Sequence, residues 1–457
     1  MQSIWGKRFQ GRKNDSELDS FNASIKEDCF LWEEEIEVAL AYAEALFHSG
    51  IYTTNESGQV KAGLKKVKER IEQGEDLSCF EDIHSAVELM LTQEIGEAGK
   101  KLATGRSRNE LVVTVERLYL MKKTREVIDA IKNVQNVIVE LAEKHNGFVI
   151  PGYTHLRAAQ YILFSHYILS FFWPLERAKQ RLSDSLRRCD KLPLGAGALA
   201  GSSLPLSLEF LEAKLGFTSL VENSIDAVAD RSFILEILFI LSLLLLDISR
   251  ITEDLIIFST EEFGLVSFEA EVLTSSSLLP QKKNPDILEL VRASCGRLFG
   301  YVSELFMVLK GLPFTYNKDL QADKIPLRRG IEETLQVLNV LAITLRRLQP
   351  QGGLKTPGGN SFLLAVDLVD YLRGRGVPFR EAHGIVGEIV AYAEANGKAL
   401  DTLSLEEYHR FSTGVGEDVY QLFDPKKSVE NKKTACSTHP EAVKKQLELA
   451  KRCLGTE

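Results

Sequence analysis

The sequence predicts an all-α protein built around a long central helical bundle. Strand-like alternation of apolar and polar residues is scarce, whereas apolar residues recur at steps of three and four over unusually long windows. The chain of 457 residues also exceeds the ~250–300 residues that a single hydrophobic core usually organises. We therefore expect two or three domains, all of them helical.

Three segments show the helical pattern most clearly. Apolar residues keep helical spacing through residues 234–255 and again through residues 288–309. Asn284 and Pro285 precede the second segment, as expected for an N-cap followed by proline at the first helical position. The third segment, about residues 111–145, contains no proline and would reach roughly 50 Å at 1.5 Å per residue.

The helix predicted over residues 234–255 is apolar on more than one face, so one neighbouring helix cannot cover it. A helical bundle shared between subunits would cover it. Shorter helical patterns lie on either side, and a Gly/Pro-rich stretch precedes the last of them. The predicted domains are an N-terminal helical domain (1–101), a long-helix bundle (102–351) and a C-terminal helical domain (352–457).

Composition excludes several classes of protein. The net charge of −9 and the lack of a basic stripe argue against a nucleic-acid partner. The six cysteines form no CxxC pattern, which argues for free thiols and against a zinc site or a disulfide framework. No apolar N-terminal stretch is long enough for a signal peptide, and the apolar run at 234–248 is shorter than the ~20 residues that span a bilayer. We expect a cytoplasmic protein without a membrane partner.

Residues 275–286, SSSLLPQKKNPD, form the first segment that suggests chemistry. Lys282 and Lys283 lie just before a predicted helix, where the positive end of the helix dipole makes them electrostatically unfavourable. A bound carboxylate would compensate for both lysines, because helix N-termini and lysines attract anions. A solvated polar loop with one capping side chain explains the same residues equally well.

Two further segments carry polar groups suited to catalysis or binding. Residues 151–160, PGYTHLRAAQ, place His155 at a turn, and histidine transfers protons near neutrality. Residues 104–110, TGRSRNE, bring two arginines, a serine and an asparagine together before a helix, as a carboxylate site requires. Taken alone, a structural histidine and a basic loop are the simpler interpretations.

Together these segments resemble the signature regions of the fumarase/aspartase superfamily, whose loop reads GSSxMPxKxNP. The lysine pair and the PD ending are most similar to argininosuccinate lyase and its eye-lens relative delta-crystallin. The resemblance extends along the chain through WGKRF at Trp5, FNASI at Phe21, EDIHSA at Glu81, LPLGAGALAG at Leu192 and KGLPFTYNKDLQADK at Lys310.

The resemblance implies a three-domain helical fold and a homotetramer in which three subunits build each active site. It also implies the reversible elimination of L-argininosuccinate to L-arginine and fumarate by general acid/base catalysis, with no metal or organic cofactor. Removing a proton beside a carboxylate builds up negative charge, so such a site needs fixed cations and hydrogen-bond donors.

By the same resemblance, Ser276 takes the Cβ proton with help from Lys282. His155, paired with Glu289, handles the proton on the leaving guanidino nitrogen; which of Ser276 and His155 is the acid and which the base stays open. The positions that match substrate-binding residues are Ser24, Asn109, Thr154, Tyr316, Gln321 and Lys324, with His84, Ser107, Arg108, Arg231 and Asn284 as further candidates.

The chain departs from the family pattern around these residues. The usual glycine and methionine of the loop are Ser275 and Leu279. Further departures are Arg157, Tyr161, Ser232 and the stretch from Cys436 to Pro440. Two alternatives therefore stay open beside argininosuccinate cleavage: a lyase for another N-substituted aspartate, and a non-catalytic structural protein of the crystallin type.

Overall fold

The structure is a computed structural model that describes residues 16–352 and 360–455. The α-helices are α1 (Ser16–Asn22), α2 (Ile25–Asp28), α3 (Trp32–His48), α4 (Thr54–Glu72), α5 (Ile83–Ile95), α6 (Glu97–Lys100), α7 (Arg108–Lys144), α8 (Phe164–Ser170), α9 (Phe172–Cys189), α10 (Leu208–Leu215), α11 (Ser224–Ala229), α12 (Ser232–Phe258), α13 (Asp286–Leu309), α14 (Lys324–Arg346), α15 (Ala365–Gly374), α16 (Phe379–Ala395), α17 (Leu405–His409), α18 (Pro425–Glu430) and α19 (Pro440–Leu454).

Short strands and 3-10 turns connect these helices. The strands are β1 (Val149–Thr154), β2 (Arg157–Leu163), β3 (Val266–Phe268), β4 (Thr274–Ser275), β5 (Lys283–Asn284) and β6 (Leu348–Pro350). They pair as three antiparallel two-stranded ladders, β1 with β2, β3 with β6 and β4 with β5. The 3-10 turns are Cys29–Leu31, Lys101–Ala103, Ala270–Val272, Lys318–Asp323, Asn360–Leu364, Leu400–Thr402 and Glu417–Leu422. The predicted all-α class is confirmed.

The three long helices predicted from apolar spacing are all present. The first and second predicted segments correspond to α12 and α13, and the third corresponds to α7, which has 37 residues. α13 begins at Asp286, and the carbonyl of Pro285 accepts hydrogen bonds from the Leu288 and Glu289 amides. The helix start therefore lies within two residues of the predicted one, the usual uncertainty of helix boundaries.

The chain forms two compact units. The first unit contains the described part of Met1–Asp129 with Ala178–Leu245 and Cys295–Gln336. The second contains Ala130–Arg177, Leu246–Ser294 and the described parts of Val337–Glu457. This division falls inside long helices, whereas the predicted domain boundaries fall at residues 101 and 351, so the three-domain scheme stays a prediction.

In the first unit, α3, α4 and α5 pack against one another, and α10 packs on α3. Thr53 starts α4 with a capping box, because its hydroxyl accepts from the Glu56 amide while the Glu56 carboxylate accepts from the Thr53 amide. Gly330 of α14 lies so close to Leu238 of α12 that a Cβ atom at this position would stand 2.4 Å from the leucine Cδ2. A glycine is therefore needed for this close helix contact.

In the second unit, the β1–β2 hairpin contacts the 3-10 turn at Asn360–Leu364 and the short helix α18. The buried hydroxyl of Thr438 accepts a 2.7 Å hydrogen bond from the amide of Leu163, at the end of β2. The C-terminal region has an apolar core of its own, formed by residues of α15, α16 and the segments after them. Thr438 belongs to the stretch from Cys436 to Pro440, which departs from the family pattern. This stretch therefore supports the hairpin.

The six cysteines are all free thiols, as predicted. Within the described ranges, only α12 is long and apolar enough to cross a membrane on length and composition alone. Helices in protein cores satisfy the same criteria, so this property is weak evidence for a membrane span. The WGKRF motif at Trp5 and part of the predicted Gly/Pro-rich break lie outside the described residues.

Candidate active site

A buried carboxylate links predicted binding residues in the first unit. The Ser24 hydroxyl donates a 2.7 Å hydrogen bond to Asp28 and accepts one of 3.1 Å from the Gln321 side-chain amide. Asp28 also accepts from the Ile83 amide, at the start of α5, at 3.0 Å. Burial raises the pKa of Asp28 to about 6, although the charge of His84 opposes the effect. Proton uptake by Asp28 as pH falls through about 6 would therefore disturb its hydrogen bond with Ser24.

His84 lies one residue further along α5 and is fully enclosed. Its Nδ1 atom is 2.6 Å from Glu35 Oε2, and its Nε2 atom has no hydrogen-bond partner among the described residues. Burial lowers the pKa of His84 and is the largest single effect, but the charge and hydrogen bond of Glu35 and the charges of Asp82 and Asp28 together outweigh it, so the net pKa is raised. Asp82, which caps α5, forms an ion pair with Arg108. The structure thus brings His84 and Arg108 to one end of α5.

The TGRSRNE segment is held in place by its own glutamate. Glu110 accepts a 2.9 Å hydrogen bond from the Ser107 amide and bonds of 2.7 and 2.8 Å from the amides of Gly195 and Gly197. The Asn109 side chain donates to the carbonyl of Ala198 at 3.1 Å. The segment and the LPLGAGALAG loop are thereby fixed to each other. The first four residues of the segment precede α7 as predicted, whereas Arg108, Asn109 and Glu110 form the first turn of the helix itself.

Four buried charges form a closed group in the first unit. Arg231 Nε lies 2.7 Å from Asp323 Oδ2 and 3.0 Å from Glu116 Oε2, and Lys324 Nζ contacts both carboxylates. The Arg231–Glu116 contact is an ion pair without hydrogen-bond alignment. Burial lowers the pKa of Lys324, but the two carboxylates outweigh it and raise the pKa well above its usual value. Lys324 therefore stays charged, with two carboxylates already beside it.

Tyr316 belongs to the same region. Burial raises the pKa of its phenol, while the charges of Lys324 and Arg231 act in the opposite direction. The first unit thus gathers Ser24, Gln321, Tyr316 and Lys324 around one set of buried charges, as a binding region for a polar ligand requires.

In the second unit, His155 lies at the tip of the β1–β2 hairpin. Thr154 pairs with Arg157, which leaves His155 and Leu156 as the two turn residues. Both have positive φ angles, 54° and 56°, a conformation that usually selects asparagine or glycine in two-residue hairpin turns. The predicted turn at His155 is confirmed, but the strands on both sides were not predicted. Side chains of Thr154 and His155 are exposed at this tip.

The segment with Ser276 is a second small hairpin. β4 pairs with β5 so that Ser275 lies opposite Lys283, and residues 276–282 form the loop between them. Ser276 Oγ accepts hydrogen bonds from the amides of Leu278 (3.3 Å) and Leu279 (3.1 Å). Two N–H groups directed at one oxygen would stabilise negative charge on it, and an ordinary serine turn has the same geometry.

The remaining predicted residues follow this loop. Lys282 is exposed in the loop, Asn284 ends β5, and Glu289 is exposed in the first turn of α13. Among the described residues of the single chain, no hydrogen bond or ion pair joins His155 to Glu289. Their predicted pairing stays a prediction.

Sequence reasoning missed the carboxylates that hold the predicted binding residues. These are Asp28, Glu35, Asp82, Glu110, Glu116 and Asp323. A signal existed for Glu116, because this charge lies between the apolar residues Val113, Val115 and Leu120 of α7. The adjacent charges of Asp323 and Lys324 offered a second signal.

Comparison with known families gives matches along most of the chain. Residues 8–300 match the family described as lyase, and residues 362–430 match the family described as argininosuccinate lyase C-terminal. The chain is 40% identical over 455 residues to the argininosuccinate lyase of Carboxydothermus hydrogenoformans, which covers 99% of this chain and 100% of the relative. It is 41% identical over 459 residues to the argininosuccinate lyase of Geobacillus sp. (strain WCH70), with 100% of both chains covered.

Solved structures give the same fold. An EDDS lyase in complex with formate superposes with a TM-score of 0.83 at 25% identity and covers 98% of this chain and 91% of its own. The 3-carboxy-cis,cis-muconate lactonizing enzyme from Pseudomonas putida superposes with a TM-score of 0.74 at 18% identity, covering 92% of this chain and 95% of its own. The second likeness concerns the fold alone.

Proposed function

The chain belongs to the argininosuccinate lyase family, and we propose that it cleaves argininosuccinate to arginine and fumarate. The observation that carries the proposal is the 40% identity over 455 residues, which extends across both compact units. Ser276, His155, Lys282 and Glu289, which match the family's reacting residues, are all retained. A role in arginine synthesis follows from this activity.

The reaction begins when a base removes the proton from the carbon beside the substrate carboxylate. In the assignment we favour, Ser276 Oγ is that base, and the amides of Leu278 and Leu279 stabilise the negative charge it needs. Lys282, in the same loop, adds a positive charge. The C–N bond then breaks, a carbon–carbon double bond forms, and His155 supplies a proton to the departing guanidino nitrogen.

We also propose that the chain assembles as a homotetramer with active sites shared between subunits. Support comes from α12 and α13, which leave an apolar groove in the first unit. The groove exposes Phe239 (48%), Phe299 (58%), Phe306 (54%) and Met307 (68%), and contiguous exposed apolar side chains of this kind are typical of protein–protein interfaces. A bundle between subunits would cover it and would allow His155 of one subunit to meet Glu289 of another. Light scattering that found a stable, active monomer would refute this assembly.

The experiment that tests the function is a direct assay of fumarate release by ultraviolet absorbance. Argininosuccinate is compared with adenylosuccinate, aspartate and malate, with the Ser276→Ala variant as the control for contaminating lyases. We expect argininosuccinate to give the highest kcat/KM. Faster cleavage of another compound would assign the chain to a different substrate, and turnover of none of them would favour the crystallin-type alternative.

A further inference from the structure

The turn before Tyr316 contains a backbone conformation that its residue disfavours. Thr315 has a φ angle of +139°, in the region that side chains with a Cβ rarely adopt. A β-branched residue at positive φ is a clear outlier, and such strain persists only where the surrounding structure enforces it. Some contact must therefore hold Thr315 in this conformation.

Asn317 provides that contact. Its Nδ2 atom donates hydrogen bonds to the carbonyl of Pro313 at 3.1 Å and to the carbonyl of Thr315 at 3.4 Å. Both partners are acceptors, so the side-chain NH2 group must face them. Asn317 is also the N-cap of the Lys318–Asp323 turn, but its side chain makes no capping hydrogen bond. An asparagine at this position usually caps, and here its side chain serves the preceding turn instead.

Tyr316 lies between the strained residue and the asparagine that restrains it. Its phenol is close enough to Lys324 and Arg231 for their charges to affect its pKa, and Gln321 follows in the turn that Asn317 starts. If the turn relaxed, Thr315 would return to negative φ and Tyr316 would be reoriented with it. The hydrogen bonds of Asn317 therefore hold the turn that directly precedes Tyr316, a predicted substrate-binding residue.

We propose that Asn317 is a positioning residue that clamps the strained Pro313–Thr315 turn and so orients Tyr316 for substrate. This inference rests on the proposed function, because Tyr316 is predicted to bind argininosuccinate. Removing the clamp lowers the fraction of enzyme with Tyr316 correctly placed. The loss appears mainly in KM, since an interaction made equally in the ground and transition states is weakened.

The test is a double-mutant cycle with two substitutions. Asn317→Ala removes both hydrogen bonds, and we expect KM for argininosuccinate to rise about tenfold with kcat within about twofold of wild type. In a Thr315→Gly background the same change should raise KM only about threefold, because glycine populates positive φ without strain. Asn317→Ser, which keeps one shorter donor, should be intermediate and serves if the alanine variant folds poorly.

The matched control is Asn396→Ala, which removes a 2.8 Å asparagine hydrogen bond to the carbonyl of Tyr392 in the second unit. It should leave KM unchanged. Amide hydrogen exchange of residues 314–317 gives a readout that needs no turnover, and we expect it to be faster in Asn317→Ala.

The outcomes separate the two proposals. If wild-type protein does not cleave argininosuccinate, the proposed function fails, and the exchange measurement still decides whether Asn317 clamps the turn. Unchanged exchange in Asn317→Ala overturns the clamp. So does a KM equal to that of Asn396→Ala, or an equal rise in both backgrounds of the cycle.

Discussion

We expect the four buried charges of the first unit to be important for stability. Lys324→Met replaces the lysine cation with an apolar side chain of similar length. Arg231 is then the only cation of the group beside Glu116 and Asp323. The side chains of Lys324, Glu116 and Asp323 are 3%, 0% and 0% exposed, so water cannot compensate for the lost charge. Removing one partner of such a group costs about 3–5 kcal/mol. At about 2–4 °C per kcal/mol, the value for a cooperative unit of about 150–250 residues, the Tm of the first unit should fall by about 6–20 °C.

The loss should depend on pH in a defined direction. Burial already raises the pKa of Glu116, and Lys324 is among the charges that lower it. Without Lys324 the pKa of Glu116 rises further. An acid whose pKa is higher in the folded state than in the unfolded state favours folding more as pH falls through that pKa. The Tm deficit of Lys324→Met relative to wild type should therefore be smaller at about pH 5 than at about pH 8.

Thermal denaturation followed by circular dichroism measures both effects. The control is Lys65→Met, the same substitution at a lysine that is 77% exposed and 3.9 Å from Glu69. A surface pair of this kind contributes about 0–1 kcal/mol, so the control should lose little stability. The reasoning is refuted if Lys324→Met is no less stable than Lys65→Met, or if its deficit is equal at both pH values.

Three further predictions concern single side chains. Ser276→Ala should abolish fumarate release while argininosuccinate still binds in calorimetry, because only an interaction of the transition state is removed; near-normal turnover would exclude Ser276 as the base. Glu289→Gln should lower activity and move the limb of the pH–rate profile controlled by His155 to lower pH, and an unchanged profile would show that the two do not interact. Glu35→Gln should flatten the dependence of Tm on pH above about pH 6.5, since the raised pKa of His84 gives stability that is lost as pH rises through it. An unaltered Tm profile would contradict the assigned role of Glu35.

The long helices could be predicted from sequence because their pattern repeats over many turns. α12 and α13 each carry apolar residues at helical spacing through more than 20 residues, and no other structure fits such a period. The β1–β2 hairpin was missed for the opposite reason. Its strands have six and seven residues, and its turn residues, His155 and Leu156, lack the asparagine or glycine that normally marks such a turn.

The predicted site residues were found through resemblance, whereas their supporting partners depend on contacts far apart in sequence. Asp28 joins the Ile83 amide across 55 positions, and Arg231 joins Asp323 across 92. No local pattern encodes such pairs. A charge within an otherwise apolar helical face, as at Glu116, indicates only that a buried partner must exist.

Ser275 departs from the family pattern at a position whose backbone conformation the structure defines. The family pattern has glycine here, but Ser275 pairs with Lys283 in the β4–β5 ladder and is not among the described residues with positive φ. Serine therefore fits this conformation without strain, and glycine would weaken the ladder by about 0.5–1 kcal/mol.

If opening of the loop limits turnover, Ser275→Gly should raise kcat about two- to fivefold, the factor that corresponds to this energy. Ser275→Ala, which keeps a Cβ atom, should leave kcat near wild type. Hydrogen exchange of residues 276–282 measures the opening itself. Faster exchange together with a lower kcat would contradict this prediction. It would show that catalysis requires the ordered loop, in which two amides are directed at Ser276.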